Sequence, residues 1–101
     1  MSTLLEKVEA IEKAGVGELA GQELGKLIHL HLQKYEIELA AVRRELEPFE
    51  RQYGMSSEEC HRQFVEGTLG DSAEIMEWMG LYDNALLYQE RIETLRAAAK
   101  P

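Results

Sequence analysis

Residues 28–53 read IHLHLQKYEIELAAVRRELEPFERQY. Within them Ile28, Leu32, Tyr35, Leu39, Val42, Leu46, Phe49 and Tyr53 follow one another at spacings of 4, 3, 4, 3, 4, 3 and 4. Such a run matches a 3.5-residue repeat, the signature of a long helix with a left-handed coiled-coil seam. Gln33, Lys34, Glu36, Glu38, Arg43, Arg44, Glu45 and Glu47 fill the intervening, solvated positions. Pro48 interrupts the run, and an interior proline removes one backbone hydrogen bond and crowds the preceding turn. Because the apolar phase persists through Phe49 and Tyr53, a kink is expected at Pro48 instead of a new helix.

Towards the C-terminus, Gly54 stops the long helix. Ser56-Ser57-Glu58-Glu59 reads as a capping box, with Ser56 at the N-cap, Glu59 three residues on, and Met55 and Cys60 as the hydrophobic staple. The short helix it opens covers 57–66, carries Phe64 and Val65, and ends at Gly67. After the turn Gly67-Thr68-Leu69-Gly70, Asp71-Ser72-Ala73-Glu74 is a second capping signal, read with Asp71 as N-cap. The last helix, 72–98, bears Trp78, Leu81, Ala85, Tyr88, Ile92 and Leu95, widened by Ile75, Met79, Tyr82 and Leu86. A stripe that wide faces more than one neighbour. The tail from Ala97 to Pro101 is expected to fray.

Towards the N-terminus, a first helix is expected from Ser2 to Ala14, within residues 1–15, with Leu4, Val8 and Ile11 as its stripe. Gly15 supplies the stop, and Gly15-Val16-Gly17 forms a hinge. The long helix would then span 18–53. Gly21 and Gly25 inside it cost ~1 kcal/mol each relative to alanine. They fit if another helix packs closely there; otherwise the regular helix begins near Lys26. Strand signals, alternating β-branched runs and Asn-Gly or Asp-Gly turns, are nearly absent. The expected fold is all-α, a single domain over 1–101. Its architecture is an antiparallel helical hairpin, with long coiled-coil-like arms joined by a short helix, plus an N-terminal helix. Two such arms cover only part of each other's stripes, so a homodimer is expected to bury the rest.

The chain has 101 residues, 45 % of them hydrophobic, with a single cysteine. That suits one small domain and excludes a disordered chain. One cysteine forms no internal disulfide, so Cys60 suits a reducing compartment. Charges at Glu6, Lys7, Glu9, Glu12 and Lys13 argue against a signal peptide or membrane span, and the expected location is cytoplasmic. The net charge of −8 argues against direct nucleic-acid binding. The charge is uneven: residues 58–83 hold Glu58, Glu59, Glu66, Asp71, Glu74, Glu77 and Asp83 against Arg62 alone. A charged partner of this stretch should be basic.

Catalytic and metal-binding constellations are weak. His29 and His31 are two apart, so on a helix they point to nearly opposite faces. Glu58-x-x-His61 has the spacing used by carboxylate-bridged di-iron bundles, but it occurs once, and such sites need two copies and two further carboxylates. Cys60 sits in a first helical turn where a small apolar residue is ordinary, and Glu58 and Glu59 oppose thiolate formation. Lys34, Arg43, Arg44 and Arg51 are the cations an anionic substrate would need, yet Glu47 lies one turn from Arg43 and from Arg51, favouring internal pairs. No phosphate-binding glycine loop, nucleophile elbow or zinc motif is present. The expectation is no enzyme activity, no cofactor and no metal. Phe64, Met76, Trp78, Met79 and Tyr82 gather around the acidic stretch. Helical spacing reads them as core, and methionines and aromatics ringed by carboxylates read as a protein-contact patch. Met76 and Met79 lie on different sides of their helix.

The segment from about 47 to 95 resembles a group of short, all-helical prokaryotic proteins regarded as antitoxin-like members of toxin–antitoxin cassettes. Their hallmark is approximately YGMSSEEF…F…G.LGD…EW..LY. It is matched here by Tyr53, Gly54, Met55, Ser56, Ser57, Glu58 and Glu59, then by Phe64, Gly67, Leu69, Gly70 and Asp71, and finally by Glu77, Trp78, Leu81 and Tyr82. Cys60 stands where an aromatic is usual. The resemblance implies a non-enzymatic protein that binds and masks a basic toxin, a small ribonuclease encoded beside it. Glu66, Asp71, Glu74, Glu77 and Asp83 are the expected contacts. Trp78 is expected to anchor the segment, by holding its helix or by inserting into the partner. The alternative is a coiled-coil dimerisation module with no toxin.

Overall fold

A computed structural model describes residues 2–99. Four helices follow in order: α1 (Leu4–Lys13), α2 (Gly17–Tyr53), α3 (Ser57–Val65) and α4 (Ala73–Ala99), with no strand among the described residues. Lys100 and Pro101, the end of the tail expected to fray, lie outside those residues, as does Met1; Ala97 to Ala99 are helical. No helix described is long and apolar enough to cross a membrane.

The hairpin is antiparallel. Tyr53 at the C-terminal end of α2 stacks on Trp78 near the start of α4, with ring centroids 5.2 Å apart. Further along, Tyr35 meets Tyr88 at 5.8 Å, and Arg96 bonds Glu36 at 3.1 Å. The heptad face of α2 is therefore spent within the chain. Leu32, Leu39, Val42 and Leu46 are buried, and Tyr35, Phe49 and Tyr53 pack against them. From α4, Ile75, Trp78, Met79, Ala85 and Ile92 complete the core, and Cys60 joins from α3. The broad stripe of α4 serves two neighbours, α2 and α3. Ile28, the first seam residue, is only half-buried. The ladder of contacts with α4 runs out there, because α4 has 27 residues against 37 in α2.

Local signals place most of the ends. Gly15, Gly54, Gly67 and Gly70 all have positive φ, and Gly54 is the left-handed C-cap of α2. The helix runs through Pro48 without a restart. Pro48 is exposed, so its ring crowds the solvent side and leaves the seam intact.

Three expectations are corrected. The N-cap of α4 is Ser72, whose Oγ accepts from the Ile75 N–H at 3.2 Å; Asp71 stands one residue outside. The capping box of α3 is half made. Ser56 Oγ accepts from the Glu59 N–H at 3.1 Å, but the Glu59 carboxylate turns to Arg62 and Gln63. A guanidinium is a stronger partner for a carboxylate than a neutral backbone N–H. Helix α2 is regular from Gly17, although nothing approaches within 4 Å of where a Cβ would stand on Gly21 or Gly25. Helix α1 contributes no buried residue; of its stripe Val8 is half-buried, while Leu4 and Ile11, like the neighbouring Leu5, are exposed.

Candidate partner-binding surface

The acidic stretch wraps around the closed end of the hairpin, and its interior is built on Trp78. The indole is fully buried between Phe49 and Tyr53, with centroids at 5.7 and 5.2 Å. Its Nε1–H donates to Ser57 Oγ at 2.8 Å. Ser57 Oγ in turn donates to Glu50 Oε2 at 2.8 Å, and the Ser57 backbone N–H donates to the same oxygen at 3.1 Å. Glu50 thus holds the first turn of α3, where a carboxylate also suits the helix dipole. Beside this relay, Tyr53 Oη donates to Glu74 Oε2 at 2.8 Å. The carboxylate hydrogen bond is the largest cause raising the Tyr53 pKa above its usual value. No buried polar side-chain atom among the described residues lacks a partner.

This relay assigns structural jobs to much of the hallmark. Tyr53 binds Glu74, Gly54 turns the chain, Met55 packs on the core, Ser56 caps α3 and Ser57 receives the indole. Glu50 had no signal in the sequence, and Ser57 stood there only as part of the hallmark and the capping stretch. A glutamate on an amphipathic helix and a serine in a first turn both look solvated until the packing brings Trp78 to them.

The six expected contact residues differ in exposure and engagement. Trp78 is buried, so of its two expected roles the geometry matches holding the helix. Glu66 accepts two bonds from Arg62, at 2.9 and 3.0 Å. Arg62 also pairs with Glu59, whose pKa falls from 4.5 to about 2, the Arg62 bond being the largest cause. Glu74 is half-buried and engaged by Tyr53. That leaves Asp71, Glu77 and Asp83, which are exposed and make no ion pair or side-chain hydrogen bond among the described residues. Glu77 and Asp83 are six residues apart, hence about 120° apart around α4. Between them the outer side of the helix carries Met76, which is exposed, while Met79 is buried. Tyr82 packs on the core side of the helix, and its pKa is raised first by burial and then by Glu58 and Asp83.

The other candidate groups are accounted for separately. Cys60 is fully buried, and burial pushes its thiol pKa up, which disfavours the nucleophilic thiolate. His61 packs its ring against Tyr82 at 5.3 Å. Among the described residues no three His, Cys, Asp or Glu side chains converge as metal ligands. Arg51 pairs with Glu47 at 3.7 Å, and Lys34 lies 6.0 Å from the Tyr35 ring centre, so these cations do not converge on a common site. Compared with known proteins, the chain matches no family model, no curated protein and no solved structure.

Proposed function

We propose that this chain is an antitoxin-like protein that binds and masks a basic protein encoded beside it, a small ribonuclease. The resemblance of residues 47–95 supplies the partner class, and the observation that supports a basic partner is electrostatic. Residues 58–83 have seven acids and one base, and the base, Arg62, is taken up by Glu59 and Glu66. Asp71, Glu77 and Asp83 then present carboxylates outward around α4, with Met76 as an apolar contact beside them. A basic cleft built to hold RNA phosphates would attract this surface and be blocked by it. The chain's part is steric and electrostatic, without catalysis or a cofactor, and its setting is the cytoplasm.

The test is to mix the purified chain with the basic product of the adjacent gene and follow RNA cleavage. Stoichiometric inhibition, with binding that weakens as salt rises, is the expected result. Undiminished cleavage in the presence of excess chain would sink the reading. A second reading, a helical homodimerisation module with no toxin, draws support from the large apolar residues exposed at the N-terminal end. Antitoxin and dimer are compatible.

A further inference from the structure

The hairpin is closed at one end and unfinished at the other. The first buried residue of α2 is Leu32, so residues 17–30 project beyond the part of α2 that α4 covers. The 3-4 rhythm of the seam does not stop there. Extended backwards from Ile28 it falls on Gly25 and Gly21, where a Cβ would meet nothing within 4 Å. Seam positions are thus present with no helix over them. Leu19, Leu24, Leu27 and Leu30 are exposed on the same projection, with Leu19, Leu27 and Leu30 on the side of the helix away from Gly21 and Gly25.

Helix α1 adds to this surface. The molecule is 58 Å long, while α2 alone accounts for about 55 Å at 1.5 Å per residue. Helix α1 therefore turns aside at Gly15 instead of prolonging α2. It brings Leu4, Leu5 and Ile11 to the same end, with Val16 at the hinge.

These eight side chains each leave 37–75 % of their surface open. Together they expose on the order of 800 Å², which is what each partner contributes to a standard stable interface. Patches beyond a few hundred Å² mark contact sites in soluble proteins.

We propose that a second copy of this chain covers this end, with α1 and residues 17–30 of each protomer packing against their two-fold equivalents as a four-helix cluster. Charge selects the occupant. Residues 2–30 carry Glu6, Glu9, Glu12, Glu18 and Glu23 against Lys7, Lys13 and Lys26, a net −2 with both signs interspersed. An isologous contact brings each patch onto its own copy, so it needs such near-balance. Residues 58–83, at −6, would repel a second copy and suit a basic partner instead. Of the two ends of the hairpin, the near-balanced one is the one that suits a second copy. The inference rests on the dimer reading above and is independent of any toxin.

The test uses the full chain without a partner. Sedimentation at micromolar concentration should report twice 11.5 kDa. Leu19→Asp with Leu27→Asp, both on exposed positions, should raise the dimer dissociation constant at least ~10-fold while helicity and Trp78 fluorescence stay unchanged. Trp78 is buried at the opposite end and reports that the hairpin is intact. Val65→Asp, at that far end, should leave the dimer as it is. A wild-type monomer would overturn the dimer reading and this inference together. A dimer undiminished by the double substitution overturns only the assignment to this end. Loss of the dimer on Val65→Asp would likewise move the interface elsewhere.

Discussion

The indole of Trp78 and the hydroxyl of Ser57, 21 residues apart in sequence, meet at 2.8 Å in a site closed to solvent. The bond ties the first turn of α3 to α4, and through Glu50 to α2. Ser57→Ala strands the indole N–H and removes one partner of Glu50. An unsatisfied buried donor costs ~1–3 kcal/mol, to be measured by urea unfolding. Trp78→Ala empties the space between Phe49 and Tyr53 and should cost ~3–5 kcal/mol. Equal stability of Ser57→Ala and wild type would show that the relay contributes nothing net.

The two candidate caps of α4 are separable. Ser72→Ala should cost ~1 kcal/mol, as loss of an N-cap side chain does. Asp71→Ala should be close to neutral, since Asp71 is exposed and caps nothing. Matched thermal unfolding of the two variants checks the order.

In the heptad face, Leu39 is buried against α4. Leu39→Asp puts an unpaired carboxylate in that core and should cost more than ~4 kcal/mol, enough to unfold a small domain. Retained far-ultraviolet circular dichroism in this variant would argue that the hairpin is not the source of its own helicity.

Stability should depend on pH through two kinds of group. Glu59 is held down to about 2 from 4.5 by Arg62 and Gln63. The folded state therefore favours its charged form. That contribution is fully present above about pH 4.5 and disappears as pH falls towards 2. Glu59→Gln should flatten this acid limb. Tyr53 and Tyr82 are raised above 10.0, so the fold favours the neutral phenols. Their contribution is complete below pH 10 and is lost as pH rises through the folded-state values. Tyr53→Phe should reduce the alkaline loss, which denaturation followed at several pH values would reveal.

The surface proposed for a basic partner is best tested at carboxylates that hold no other contact. Glu74→Lys would also break the bond from Tyr53, confusing folding with binding. Glu77→Lys with Asp83→Lys changes only exposed carboxylates. Helicity should stay intact, while affinity for the adjacent gene's product falls at least ~10-fold. Wild-type neutralisation by this variant would make the acidic stretch a solvated surface only.

Near-neighbour chemistry was legible in the chain itself. The 3-4 spacing from Ile28 to Tyr53, the left-handed stops at Gly15, Gly54 and Gly67, and the Ser56 cap depend on residues within a turn or two of one another. Those regularities suffice for the all-α class, the helix order and the face of α2 that is buried. Tertiary structure alone decided which groups competed successfully for each polar or apolar partner. Glu74, read as a free surface charge, was claimed by Tyr53 from 21 residues away. Trp78 found Ser57 inside the fold, which leaves it buried instead of at the surface. The seam from Leu32 onward was consumed by α4, while the shorter reach of α4 left Gly21 and Gly25 uncovered. Periodicity specifies that a face must be buried; the lengths and packing of the helices determine what buries it.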